Sequence, residues 1–366
     1  MNGREVRRLG GLLAARLPEL NLDAVPDPRA RRGRWSLGQI LRATLVGIMA
    51  GCNSLWETED LTGRLSRPMR RRLDLPRRLA DTTMRDALCY RRRDRRRDSA
   101  EDDLFTKSVL DPKDREKRGQ FVGGLRRSLH RVVRAAARRK ALTPVGLPFG
   151  VATFDGKVTA VPTINGEFVQ THHPEQGLPH GLMRTVTCAL VSAAARVCID
   201  VIPIPAHTNE MGHFQTAFAS VKETYGKLFQ LVTYDAGAMS EANGRAVVDA
   251  GKDYLFALKN EHRTMLKLAS ELLSAQEAVA RTVDVLDNQT TVTRTLKLLA
   301  VDPSWSYDSS KGPEDTVWSH ARAFLSVESV KRRSDVIVEH EIRFFVSSLA
   351  PERLTPKQWL KVVRAH

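Results

Sequence analysis

The chain has 366 residues, 42% of them apolar, with 58 Lys+Arg against 42 Asp+Glu and a formal net charge of +16. That length exceeds the size at which a single hydrophobic core usually stops growing, so two domains are expected. Four cysteines at no zinc-like spacing argue against a disulfide or zinc scaffold and for a reduced, cytoplasmic protein. No window approaches the roughly 18 uninterrupted apolar residues of a membrane span.

The charge is unevenly placed. Residues 1–150 hold 35 Lys+Arg and 18 Asp+Glu, whereas the remainder holds 23 and 24. A basic excess confined to one module is the footprint of a phosphate-binding surface. Most of these bases are Arg, whose planar fork can hold a phosphate with two hydrogen bonds, although GC-rich coding also enriches Arg.

From Trp35 to about Cys52 the residues Leu37, Ile40, Leu41, Leu45, Ile48 and Met49 recur at threes and fours, which predicts a helix with one buried face behind a Ser36 cap. Further helices are expected around Leu55–Leu65, around Thr82–Tyr90 behind Asp81, and over Phe121–Lys140. Residues 1–140 therefore read as an all-α domain. The run Arg91, Arg92, Arg93, Asp94, Arg95, Arg96, Arg97 is ordinarily a solvated face or loop, and here it is also the best candidate for contacting phosphates.

Residues 141–150, with two prolines and two glycines, break the helical period and are read as a linker. Beyond it Val151–Phe154, Thr185–Ala193, Val197–Ile204, Leu228–Tyr234 and Tyr254–Leu258 read as buried strands. Glu210–Tyr225, Ser240–Ala250 and about Glu261–Leu273 read as helices. The order predicts an α/β domain over 151–366, with a β-rich insertion over about 282–349 and a last helix from Thr355. The histidines His172, His173 and His180 fall among Pro174, Gly177 and Pro179, a pattern of a loop rather than of a zinc site. Trp56, Trp305, Trp318 and Trp359 are widely spaced and read as core or insertion residues.

Asp155 and Asp235 each follow a predicted strand, in Val151-Ala-Thr-Phe-Asp155 and Leu231-Val-Thr-Tyr-Asp235. Asp-Gly and Asp-Ala-Gly also open ordinary turns. Two carboxylates at the ends of adjacent strands can instead share two divalent cations, which suit oxygen ligands and relieve the repulsion between the acids. Lys259 follows the strand ending at Leu258 and reads equally as a DNA contact near those metals or as a solvated lysine at a helix entry.

Five segments together carry a family resemblance: Asp155-Gly-Lys157, Asn209-Glu210, Asp235-Ala-Gly-Ala-Met239, Gly251-Lys-Asp-Tyr-Leu-Phe-Ala-Leu-Lys-Asn260 and Phe344-Phe-Val-Ser-Ser-Leu349. In order and spacing they resemble the signatures of bacterial insertion-sequence DDE transposases. Asp27-Pro-Arg-Ala-Arg-Arg-Gly33 and Asp81-Thr-Thr-Met-Arg-Asp-Ala-Leu88 are similar to the helical domain associated with that group. The resemblance implies a ribonuclease-H-like catalytic domain with a β-rich insertion, with Asp155 and Asp235 as its first two acidic residues. It also implies two Mg²⁺ or Mn²⁺ ions, double-stranded DNA as partner (the element's terminal repeats and its target), and a homodimer on DNA in a bacterial, nucleoid-associated setting.

The family continues past Arg-x-His with a Trp and then a Glu on the last helix, whereas this sequence stops at His366. The expectation is a transposase cut short of its third acid, and the alternative is an inactive remnant that only binds DNA. Glu328, Glu339 and Glu341 lie in predicted strands or turns, away from the position of that missing acid.

Overall fold

The computed structural model describes residues 11, 15–29, 33–75, 77–89, 112–161, 167–175, 177–234, 239–259, 263–286, 290–302, 318–334 and 336–365. Contacts divide the chain into two compact units, Met1–Ala136 and Ala137–His366. Among the described residues no helix is long and apolar enough to cross a membrane.

Unit 1 contains helices and no strand among its described residues: α1 (Leu37–Met49), α2 (Leu55–Arg64), α3 (Arg67–Leu73), α4 (Asp81–Cys89) and α5 (Pro112–Arg138). Ser36 caps α1 with a full capping box, its side chain accepting from the Gln39 N–H and Gln39 reaching back to the Ser36 N–H. Ser54 and Ser66 cap α2 and α3 in the same way, each accepting from the N–H three residues on. The core joins Leu37, Ile40, Leu41, Ala43 and Val46 of α1 to Leu73, Leu79, Met84 and Ala87.

The buried stripe of α1 departs from the expected one at its last turn, where Ile48 and Met49 are exposed. Gly47 explains the shift. A Cβ there would collide with Thr58 of α2, so the two helices approach closely along the small residues Ala43 and Gly47, and the large residues beyond face out. Thr62 of α2 donates to the Glu59 carbonyl and accepts from the Leu79 N–H at 3.1 Å.

Unit 2 is built on a ten-stranded mixed sheet: β1 (Val151–Val161), β2 (Val169–His172), β3 (His180–Leu190), β4 (Val197–Pro203), β5 (Leu231–Tyr234), β6 (Asp253–Leu258), β7 (Ala280–Val285), β8 (Thr290–Ala300), β9 (Ala323–Arg333) and β10 (Val336–Ser347). Its helices are α6 (Glu210–Tyr225), α7 (Glu241–Asp249), α8 (Arg263–Ser274) and α9 (Pro356–Ala365). The strand order is β2-β3-β1-β5-β6-β10-β9-β8-β7, with β4 beside the second half of β3. β1, β5 and β6 run parallel, β3 is antiparallel to β1, and the meander β7–β10 joins the sheet through antiparallel pairing of β10 with β6.

Two parts of unit 2 differ from the sequence reading. Val169–His172, expected to lie in a loop, forms β2 and pairs with His180–Met183, so β3 starts earlier than predicted. β1 continues to Val161, well past Phe154, because it stays paired with β3 along that length while its mixed polar and apolar residues give no apolar run.

Both faces of the parallel strands are covered. On one, Phe154 and Tyr234 lie 6.2 Å apart and meet Phe214 of α6 at 5.6 and 5.2 Å between ring centroids. On the other, Val151, Leu231 and Leu255 share a core with Leu325, Phe345 and the fully buried Trp359, Leu360 and Val362 of α9. Ser347 donates to the Tyr254 carbonyl at 2.6 Å and Ser348 accepts from the Tyr254 N–H at 2.9 Å, so two of the family-like segments are stitched to each other.

Candidate functional site

The register of β1 against β5 organises the site. Thr153 pairs with Thr233 and Phe154 with Tyr234, the last described residue of β5. Asp155 follows directly on β1, at the carboxyl end of the parallel strands, the usual place for a ligand in an open α/β sheet.

Alternation along the strand sets the faces. Phe154 turns toward α6, so Thr153 and Asp155 share the opposite face, the one that carries the α9 core. The Thr153 and Thr233 hydroxyls are buried and 2.7 Å apart. Asp155 is half-exposed, with its side chain at 45% of full accessibility, and Lys157 Nζ lies 2.6 Å from its carboxylate. That hydrogen bond and charge hold the Lys157 ammonium above the ordinary lysine range. The Thr187 hydroxyl of β3 donates to the Asp155 carbonyl at 3.0 Å and fixes the backbone from the other side.

A second carboxylate approaches the same peptide. A Cβ at Gly156 would run into the carboxylate of Glu210, the first residue of α6. Asn209 caps that helix by accepting from the Gly212 N–H at 2.9 Å. Glycine at 156 thus leaves room for an acidic side chain directly above the peptide that follows Asp155.

Asp235 and the Arg91–Arg97 run lie outside the described residues. Lys259 is exposed at the end of β6. Glu328, Glu339 and Glu341 are engaged in local pairs with His340 at 2.9 Å, Lys331 at 3.6 Å and Arg343 at 2.7 Å. His172 and His180 face each other across β2 and β3 with ring centroids 5.0 Å apart. Among the described residues no group of three or more His, Cys, Asp or Glu is arranged to hold a metal ion.

The Thr153–Thr233 pair and the Glu210 contact were missed from sequence. The first had a signal, since both strands read Thr-aromatic-Asp, at Thr153-Phe-Asp155 and Thr233-Tyr-Asp235. The second depends on how α6 returns to β1 and left no local pattern.

No protein-family model and no curated protein matches the chain. Among solved structures it is similar to a piggyBac transposase synaptic complex with hairpin DNA, at 12% identity and a TM-score of 0.37. The match covers 97% of this chain and 65% of that one, so this chain spans about two thirds of the other's length.

Proposed function

We propose that this chain is a DNA transposase of the DDE type, from a bacterial insertion sequence, with a ribonuclease-H-like catalytic unit that cleaves element ends and joins them to target DNA. The observation that carries this reading is the register: Asp155 and Asp235 each come one residue after the paired Phe154 and Tyr234. One Cα step is about 3.8 Å and neighbouring strands lie about 4.8 Å apart, so the two acids follow, in sequence, two points of the sheet that are direct neighbours.

The residues fit hard divalent cations. Asp155 has an accessible carboxylate at the end of the parallel strands, Asp235 would supply the second, and no thiolate or imidazole is needed. Bound there, two Mg²⁺ or Mn²⁺ ions would supply charge neutralisation at the phosphate and lower the pKa of an attacking water. The chain's own part is positional: the threonine pair and the Thr187 hydroxyl fix the strand beneath Asp155, and Lys157 stands beside the carboxylate, within reach of a phosphate. The basic unit, with Arg91, Arg92, Arg93, Arg95, Arg96 and Arg97 as its densest run, holds the DNA, and Lys259 adds a charge beyond β6. Two copies acting on paired ends at the nucleoid complete the reading.

A second reading has its own observation. Lys157 already neutralises Asp155, as in a DNA-binding remnant that no longer cuts. Duplex DNA carrying the sequences that flank the coding region separates the two. Nicking that requires Mg²⁺ or Mn²⁺, and that is lost in Asp155→Asn and Asp235→Asn while the mobility shift persists, supports the transposase. A shift without nicking supports the remnant, and no shift sinks both. The affinity should fall steeply with salt, and replacing the six arginines by glutamine should flatten that slope by about 0.9 for each phosphate contact removed.

A further inference from the structure

Unit 1 carries a cleft of about 500 Å³ that brings together residues far apart in sequence. Trp35 enters from the start of α1, Trp56 from α2, and Arg34, Arg64, Arg77 and Arg78 stand around them. Trp56 is 68% exposed, whereas an indole ordinarily seeks the core, so it departs from the core role expected for it. The Arg34 guanidinium lies 4.9 Å from the Trp35 ring centroid, a cation–π contact that holds both side chains at the rim.

Two carboxylates share the cleft, and each has an arginine. Glu59 pairs with Arg78 at 2.7 Å and accepts the Asp81 N–H at 2.9 Å, and Asp60 pairs with Arg64 at 2.9 Å. Four guanidinium groups against two carboxylates leave the charge of two in excess. An open aromatic face beside uncompensated positive charge is what a nucleotide requires: the ring stacks the base and the guanidinium groups take the phosphates. The volume suits a small ligand and is far too narrow for a duplex.

We propose that this cleft holds an unpaired nucleotide of the bound DNA, its base stacked on Trp56 and its flanking phosphates on Arg34 and Arg77. The proposal rests on the DNA-binding function above and deepens it, since it makes the helical unit a reader of DNA that has lost local pairing.

The test uses the full chain and two labelled DNAs of one sequence, one fully paired and one with a three-nucleotide unpaired flap. Wild type should bind the flap DNA more tightly, and Trp56→Ala should lose roughly 5- to 150-fold on the flap DNA, the range that stacking one base provides, with little change on the paired duplex. Trp56→Phe should keep most of the preference. Wild type binding both DNAs equally overturns the proposal, as does a Trp56→Ala variant that weakens both alike or neither. Binding to neither DNA overturns it together with the proposed function, so the two failures are distinguishable. Because Trp56 is exposed, an unchanged melting temperature in Trp56→Ala should accompany the expected result.

Discussion

The two units place their polar chemistry in opposite ways. In the helical unit the charge is spread over many side chains: four arginines lie on α3 and Arg77 and Arg78 follow it, while α5 carries more. In the sheet unit net charge is close to zero and individual positions matter, because the pairing of Phe154 with Tyr234 fixes, to a single residue, where Asp155 stands at the end of the parallel strands. Affinity and chemistry can therefore be altered separately, and a set of substitutions tests whether they are.

The sharpest test of this separation is Asp155→Asn, which should cut metal-dependent nicking by about 10³-fold or more, with DNA affinity within a factor of two or so of wild type. Equal losses in both would mean that Asp155 supports the fold and not the reaction.

Next come the two cores. Trp359 and Ile40 are fully buried in their respective clusters. Trp359→Ala should cost about 3–5 kcal/mol and Ile40→Ala about 2–5 kcal/mol. Calorimetry of the full chain should show each variant lowering a different melting transition, and a single transition lowered by both would erase the comparison.

A smaller effect is expected at the threonine pair. Thr153→Val removes the 2.7 Å hydroxyl contact with the buried Thr233 and should cost about 0.5–1.5 kcal/mol, and the double change with Thr233→Val should cost less than the two single changes added together. Denaturant titration of the two single variants and the double variant measures the coupling.

The smallest effect is on pH. Burial holds the imidazoles of His213 and His320 below their ordinary range, and the His320 ring accepts or donates at Tyr254 Oη, 2.9 Å away, with Glu241 at 3.9 Å. The unfolded chain takes up protons near pH 6.5 while the folded unit resists them. Stability of the sheet unit should thus be complete above that pH and decline as pH falls below it. His320→Gln should flatten the decline in melting temperature measured between pH 8 and pH 5, and the helical unit's transition should not respond to that substitution.

Much of the fold was legible because its elements carry strong local patterns. The Ser36 cap, the period of α1 and the apolar runs at β1, β5 and β6 stand in the sequence as they stand in the structure. What stayed hidden depended on partners. β2 has four residues and becomes a strand only against β3, and the far half of β1, Asp155–Val161, mixes polar and apolar residues and is held by its pairing with β3. At the site, Asp155 was visible as an acid after an apolar run. Glu210 was visible only as part of a family-like segment, since its role comes from α6 folding back over Gly156. Trp35 and Trp56, 21 positions apart in sequence, gave no hint of sharing a cleft until α1 and α2 had packed.

The pairing of β1 with β5 also bears on when the site forms. Thr153 and Thr233 are 80 residues apart in sequence, and Tyr254 meets Ser347 and Ser348 across more than 90. Local helices close within microseconds, but contacts of this span wait for the loop between them to be ordered, so topology of this kind slows folding. During synthesis at roughly 5–20 residues per second the helical unit is complete many seconds before β5 emerges. On the proposed function, the basic unit thus exists before both candidate acids are in place, and a nascent chain would meet DNA before it had the means of breaking it.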